Sequence, residues 1–564
     1  MKKWMGAIAA VTIFSLILPA ADWAGAAPQQ QDRLVQGTEK LQLDLLKRYY
    51  SGADFDNGGA EIVAVDTRHQ LAYSVNGAAK AVDVLDLTAL TENGAQWKQK
   101  RRITLQSFDL GEFQPSDITS VTVHPEGEWA AVAMPAEPKT DAGVVVFVDA
   151  EGRYLHHVQV GALPDMVTVS PDGTKVLSAN EGEPSDDYTI DPEGSVSIID
   201  VSNGVEQATV NTVGFNDLQP SQIDQDVRVF GKGATFAQDM EPEYIQVTPD
   251  SKTAYVVLQE NNAIAALDLE NEAFTRVYGL GVKDHSVNGN ELDASDKDGR
   301  INIRNWPVLG MYQPDGFQLF QVQGKTYLIT ANEGDARDYD GFSEEARVKD
   351  LVNPDKVGAK IRLNAKHYAG YNQKELDRML QEGLLEDDQL GRLTVSAVEG
   401  EKEGVYEALY SFGGRSFSIW EVTDKKLKRV YDSGSDFERI IADALPQYFN
   451  SNNNEASFDT RSDDKGPEPE SAIVGQVGEK LYAFVGLERV GGVMVYDLSQ
   501  PQKPRFVTYF NSRDFEKGTS VEAGDVGPEG LAFLSAEQSP TGEPILLVAN
   551  EVSGTVAAIS IQEK

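Results

Sequence analysis

Residues 163–201 read LPDMVTVSPDGTKVLSANEGEPSDDYTIDPEGSVSIIDV, and this stretch decides the fold. Met166–Val169 is a short β-branched run that ends at Pro171-Asp172-Gly173, a turn signature. Lys175–Asn180 is a second run, ended by Glu181, and after an acidic loop Ser195–Val201 is a third. Short runs rich in Val and Ile, bounded by Gly, Pro, Asn and Asp, are read as antiparallel strands.

The unit recurs. EPEYIQVTPDSKTAYVVLQENNAIAALDL (241–269) has the same layout, as do QPDGFQLFQVQGKTYLITANEGDARDY (313–339), EPESAIVGQVGEKLYAFVGLERVGGVMVYDL (468–498) and GPEGLAFLSAEQSPTGEPILLVANEVSGTVAAISI (527–561). Weaker copies begin at residues 59 and 115. Each copy opens on a carboxylate: Glu61, Asp117, Asp165, Glu243, Asp315, Glu470 and Glu529. The interval from Asp315 to Glu470 is about twice the others, which places an insertion over roughly 336–404 inside the fifth copy, partly helical through NQKELDRMLQEGLLEDDQL (372–390). The last copy lacks a fourth strand, whereas the first has a spare one before it, at 43–52. The pattern therefore predicts an all-β chain: one domain over 27–564, a seven-bladed β-propeller whose ring is completed by the N-terminal strand. Two β-sandwiches are the alternative.

Residues 1–26 carry Lys2 and Lys3, then an apolar run, then Ala24-Gly25-Ala26. This is a secretory signal with a small-residue cleavage site, so the mature chain is expected outside the cell with no transmembrane segment. The chain ends in AAISIQEK, which has neither a hydrophobic tail nor a sorting motif.

The formal charge of −39 excludes nucleic acid as a natural partner, because that partner requires a cationic face. With no cysteine and six scattered histidines, thiolate and imidazole metal sites are excluded together. Any metal must be held by oxygen, which favours calcium or another hard divalent cation. No G-x-S-x-G elbow and no H-E-x-x-H helix occurs, and no residue stands out as a catalytic base or nucleophile.

In an antiparallel blade the start of strand one lies beside the end of strand two. The opening carboxylates are therefore expected to meet the closing residues at the rim of a central channel. Asp165 meets Asn180 and Glu181, Glu243 meets Glu260, and Asp315 meets Asn332 and Glu333. Glu470 meets Glu488, Glu529 meets Asn550 and Glu551, Glu61 stands near Asn76, and Asp117 faces no acid. Such a ring binds cations, pairs with bases or holds protons; the alternative is that these groups bond turn amides and keep the blades in register. Arg337 and Arg489 are the candidates for holding an anionic substrate. Arg337 is preferred for that role because its loop is polar and expected to be exposed. Arg489, at a strand end, also reads as a counter-ion to the ring. A separate stretch, NELDASDKDGRINI (290–303), resembles a calcium loop through Asp296, Asp298 and Gly299, but has Ala294 and Asn305 at the first and last ligand positions. A solvated turn is the other reading.

The stretch 163–201, together with ITANEGDARDYDGFSEEARVKDL (329–351), FGGRSFSIWE (412–421) and GDVGPEGLAFL (524–534), resembles the choice-of-anchor I family of secreted bacterial proteins. The resemblance implies a β-propeller at the cell surface or in the medium, in some members cell-wall associated. Relatives labelled alkaline phosphatase-like or phytase-like imply a metal-dependent phosphoesterase, a hydrolase acting on a phosphoester. A non-catalytic module binding a cell-surface ligand is the alternative.

Overall fold

A computed structural model describes residues 33–36 and 41–563, apart from 93, 95 and 424. The signal expected at 1–26 lies outside the described residues.

The chain is all-β. Among the described residues, seven antiparallel sheets of four or five strands follow one another along the sequence. The third sheet shows the common plan: Pro164–Val169, Lys175–Asn180, Ser195–Asp200 and Thr209–Gly214 pair in sequence order. The fifth has the same order but takes its third strand, Ser416–Val422, from beyond a long excursion. Its first hairpin turns through Gln323-Gly324, both at positive φ (53° and 75°), the conformation a two-residue turn between twisted strands requires. In the last sheet Leu41–Tyr50 pairs antiparallel with Thr555–Glu563, from Leu41 opposite Glu563 to Tyr50 opposite Thr555. Arg33–Gln36 adds a fifth strand to the sixth sheet, beside Arg505–Asn511.

The core lies between successive sheets. Strand faces alternate, so each sheet offers one apolar face to each neighbour. Leu71, Val82 and Ile103 of the first sheet pack with Val121, Val132 and Val146 of the second. Equivalent clusters join each later pair. A further one joins the last sheet to the first, through Tyr49, Leu547 and Val556 against Val63, Ala72 and Leu85. The first strands of the sheets adjoin one another in sequence, and that of the seventh adjoins that of the first. Polar bonds staple these innermost strands: Thr119 Oγ1 donates to Pro164 O (2.7 Å), Gly316 N to Glu470 O (3.0 Å), Ser471 Oγ to Glu529 O (2.6 Å) and Gly530 N to Glu61 O (3.0 Å). Gly316 and Gly530 are glycine because a Cβ there would come within 2.7 Å of Ser471 Cα and 2.5 Å of Glu61 O. This accounts for the Asp-Gly and Glu-Gly that open those two copies.

The insertion is larger than the predicted 336–404. Leu292, Trp306 and Val308, from the stretch between the fourth and fifth sheets, share a core with Val348, Leu376, Leu390 and Tyr406. Trp and Leu scattered through polar loops gave no periodicity to reveal that union. The helix expected in 372–390 forms at Gln373–Gln381, opened by a capping box between Asn372 and Glu375. Another helix, Asp436–Ala444, buries Phe437 and Ile441 against the fifth and sixth sheets.

Candidate metal centre

The opening carboxylates lie at the starts of the innermost strands. Four of them, Glu61, Asp165, Asp315 and Glu529, line one cavity of about 150 Å³ together with Tyr244. Asp117 is not in that lining; its carboxylate accepts from the Ile118 amide (2.7 Å). Burial, then Glu551, Asp117 and Asp165, pushes the Glu61 carboxyl up to about 8. Glu529 is raised well above the ordinary range by burial, then by Glu551 and Glu61. Acids drawn from different sheets thus repel one another across a common axis.

Among the described residues, two groups bring three carboxylates within metal-chelating reach. In each of Asp315–Glu333–Glu470 and Glu333–Glu468–Glu488, one oxygen per residue lies within 4.8 Å of the others. Backbone pairing sets the first group: Asp315 N donates to Ala331 O, so the start of one strand stands beside the end of the next, where Glu333 follows Asn332. Glu470 arrives from the adjoining sheet on the Gly316–Glu470 staple.

The two groups differ in charge balance. Glu468 is fully buried and bonded by Arg461 and by Arg489 Nε (2.8 Å), with Lys465 Nζ at 3.4 Å. Burial opposes its ionisation, but Lys465, Arg461 and Arg489 outweigh it and hold the carboxyl well below the ordinary range. Glu488 accepts from Asn453 Nδ2 (2.8 Å) and faces Arg489 Nη1 (3.0 Å). That group already carries its counter-ions. In the other, Glu333 meets Lys465 Nζ (3.2 Å) and Gln259 Nε2 (2.8 Å), while Asp315 and Glu470 face no base among the described residues. One carboxylate oxygen of each lies within 4.8 Å of one of the other's, so that two buried like charges disfavour ionisation of both together. Asp315 is pushed up to about 7 by burial and by Glu333, and Glu470 well above the ordinary range by burial, Glu333 and Asp315.

The choice-of-anchor I domain profile matches residues 61–501 of this chain. The chain belongs to the choice-of-anchor I family. Residues of this family member are 36% identical to Gigasin-3a of Magallana gigas over 189 positions, 31% of this chain and 66% of that protein. They are 29% identical to a mesenchyme-specific cell surface glycoprotein of Strongylocentrotus purpuratus over 289 positions, 47% of this chain and 36% of that protein. The chain thus spans less than two thirds of either relative's length. Similar solved chains include Kuenenia stuttgartiensis hydrazine synthase (TM-score 0.43, 11% identity, 91% of this chain and 97% of that one). The β-propeller domain of Myceliophteria thermophila Cps50 (Swd1) is another (TM-score 0.41, 9% identity, 90% and 98%).

In this choice-of-anchor I chain two asparagines of the Ala-Asn-Glu motif, Asn180 and Asn332, spend their side chains on neighbouring hydroxyls instead of a metal. Asn180 Nδ2 donates to Ser195 and Ser197 Oγ (3.2 and 3.0 Å), and its Oδ1 accepts from Ser178. Asn332 does the same with Ser416, Ser418 and Thr330. Asn550 Nδ2 bonds Val548 O and Thr555 O within its own sheet, while its Oδ1 is buried with no hydrogen-bond partner. The asparagine ties strand two to strand three, and the glutamate after it reaches the axis. Glu181, Glu243 and Glu260 gather on the far side of that axis, each raised well above the ordinary range by burial first and by neighbouring acids. One oxygen each of Glu243 and Glu260 is buried with no hydrogen-bond partner. Glu551 is raised by burial, against Arg489.

Arg337 departs from expectation: it is 2% exposed. Its Nε donates to Glu241 (3.0 Å), Nη1 bonds the Asp239 carboxylate, and Nη2 donates to Asp239 O (2.8 Å). Every nitrogen has a partner, because the acidic loop folds inward onto the 239–241 segment. Arg489 keeps a quarter of its side chain exposed beside Glu468 and Glu488. Glu468, Lys465, Asp239 and Glu241 were missed in the sequence. The available signal for the two glutamates was the tripeptide Glu-Pro-Glu, which occurs at 241–243 and again at 468–470, each time ending on an opening carboxylate.

Proposed function

We propose that this protein is an extracellular, calcium-binding, seven-bladed β-propeller whose ring is completed by the strand Leu41–Tyr50, serving as a rigid platform for a cell-surface ligand. The observation that carries the metal reading is the Asp315–Glu333–Glu470 group, three carboxylates within 4.8 Å facing one lysine. Oxygen ligands alone suit calcium before softer metals. Bound there, calcium would be held by these three side chains and would displace the protons that burial and mutual repulsion favour on Asp315 and Glu470. The secretory signal in the sequence and the name of the cell surface glycoprotein relative support the extracellular location. The seven inter-sheet cores support the ring.

Phosphoester hydrolysis is the second reading, favoured by Arg489, a half-buried guanidinium beside the axial carboxylates that could clamp a phosphoryl group next to a metal. One experiment addresses both. The mature protein, stripped with chelator, is melted with and without calcium and assayed on a chromogenic phosphomonoester and diester. The platform reading expects a higher melting temperature with calcium and no turnover; calcium-dependent turnover lost in Arg489→Gln supports the enzyme. A melting temperature indifferent to calcium removes the metal reading.

A further inference from the structure

The acids of the calcium-like stretch 290–303 are spent on neighbours: Asp296 bonds Arg392 (2.6 Å) and Lys297, and Asp298 faces Arg300 and bonds Asn302 Nδ2 (2.8 Å). A buried cation near the axis has no such partner. Arg489 follows Glu488 in the turn between Lys480–Leu487 and Val493–Asp497, where Gly491 and Gly492 stand at positive φ (87° and 84°). That turn lies against the end of the strand Arg505–Asn511. A Cβ on Gly492 would come within 2.5 Å of Phe510 O. Tyr509 Oη donates to Gly491 O (2.6 Å), and Asn511 Nδ2 donates to Gly491 O (3.1 Å) and Val490 O (3.2 Å). Asn511 Oδ1 accepts from Arg513 N (2.9 Å), a side-chain turn that ends the strand and brings Arg513 to the same place.

Arg513 is 4% exposed, and its hydrogen bonds all go to backbone carbonyls. Nη1 donates to Arg489 O and Asn452 O (2.9 Å each), and Nη2 to Asn453 O and Glu455 O (3.1 Å each). The guanidinium sits over the Phe515 ring (4.5 Å), which stacks on Tyr448 (4.3 Å between centroids). Among the described residues no carboxylate pairs with it, its Nε is buried without a partner, and burial pushes it down to about 10. A buried cation without a counter-ion is costly, so a fold retains one where it does something that a neutral side chain cannot. The carbonyls it holds show what that is. Asn453 and Arg489 are the residues that bond Glu488, through Nδ2 (2.8 Å) and Nη1 (3.0 Å), and Arg489 Nε also bonds Glu468 (2.8 Å). One planar fork therefore sets the backbone of both.

We propose that Arg513 is the positioning residue of the Glu333–Glu468–Glu488 group: it fixes the backbone of Arg489 and Asn453 so that both face Glu488, and thereby keeps that group charge-balanced. A lysine does not replace it, because a single ammonium has no planar fork to span four carbonyls. The consequence for the proposed function is selectivity. A group that carries its own counter-ions leaves calcium to Asp315, Glu333 and Glu470; only this consequence rests on the metal reading.

The test is a double-mutant cycle between Arg513→Gln and Glu488→Gln, read by urea unfolding of the chelator-stripped protein at pH 5.5 and at pH 9. The charged groups facing Glu488 are Arg489, Glu468, Glu333 and Lys465; Tyr509 faces Arg513 and is held above its ordinary range by burial, so it is silent in this window. Glu488 is pushed up to about 8 by burial, against the pull of Arg489. With Arg489 no longer held in place it rises further. A carboxyl raised in the fold stabilises it fully below the unfolded range and loses that contribution as pH passes the folded value. Arg513→Gln is therefore expected to cost more at pH 9 than at pH 5.5, by about tenfold in the folding equilibrium for each unit the carboxyl rises. In the Glu488→Gln background its cost is expected to be the same at both pH values, and Arg489→Gln should reproduce the widening with Arg513 in place. Should Arg513→Gln fail to fold, Phe515→Leu, which loosens the guanidinium without removing it, is read instead. A cost equal at both pH values in the wild-type background, or a widening that survives Glu488→Gln, would overturn the proposal and leave Arg513 as a clamp on the fold alone. Calcium takes no part in the measurement, so failure here is distinguishable from failure of the metal reading.

Discussion

Removing the guanidinium of Arg337 should be among the most damaging single changes in the molecule. Arg337→Ala leaves Asp239 and Glu241 buried without their counter-ion. Asp239 still accepts from Phe230 N (2.9 Å) and Gly231 N (2.6 Å). Glu241 has no such support: its Oε1 has no partner, and its carboxyl is already pushed up to about 7 by burial against the pull of Arg337. Breaking a buried pair in this way costs about 3–5 kcal/mol. The lost contact of the guanidinium over the Phe230 ring, 4.6 Å from its centroid, adds a fraction of that. In urea, with a slope of about 3 kcal/mol/M, the midpoint should fall by roughly 1 M or more. Circular dichroism at pH 7.5 reads the fall, and Arg337→Met, which refills the volume, separates packing from charge. Adding Glu241→Gln to Arg337→Met should recover part of the loss, since it removes one of the stranded charges. A midpoint within about 0.3 M of wild type for Arg337→Ala would refute the counter-ion argument and return this arginine to a role in ligand binding.

The metal-free protein should lose stability as pH rises from about 5 to 8. Asp315 (about 7), Glu61 and Glu488 (each about 8) are raised in the fold by burial first, so the folded state binds the extra protons across that window. Their contribution is full below the unfolded carboxyl range and is lost as pH passes the folded values; melting curves from pH 5 to 8 with chelator check this, and calcium should flatten the slope. Deleting residues up to 50 removes Leu41, Leu43 and Tyr49 from the cores beside the last strand, at about 1.5–3 kcal/mol each, and bares the edge Thr555–Glu563. The truncated chain is expected to melt lower and to self-associate in sedimentation; a monomer of unchanged melting temperature would contradict the ring.

Much of the fold could be read because the repeat is carried by short-range signals. Strand runs, Asp-Gly and Gln-Gly turns and an opening carboxylate recur at fixed offsets, and the spare strand at 43–52 is observed at Leu41–Tyr50 beside Thr555–Glu563. The convergence of Glu61, Asp165, Asp315 and Glu529 follows from that offset. What could not be read depends on pairings between distant segments. Whether Asn332 faces a metal or Ser416 and Ser418 is decided by a third strand 84 residues away. Arg337 lies in a polar loop, and only the folding of that loop onto Asp239 and Glu241, 98 and 96 residues earlier, buries it. Glu468 was passed over because its three basic partners make it a charge-balanced residue, and no spacing in one dimension shows that.

The most direct test of the axial centre is a calcium titration of the chelator-stripped protein at pH 7 with the released protons counted. Glu470 offers an oxygen within 4.8 Å of Asp315 and Glu333, so Glu470→Gln preserves the shape of the site while removing a ligand. Wild type is predicted to bind calcium at the axis with release of protons, and Glu470→Gln to lose that equivalent and its protons while keeping its fold. Equal calcium binding and equal proton release by the two proteins would contradict the account.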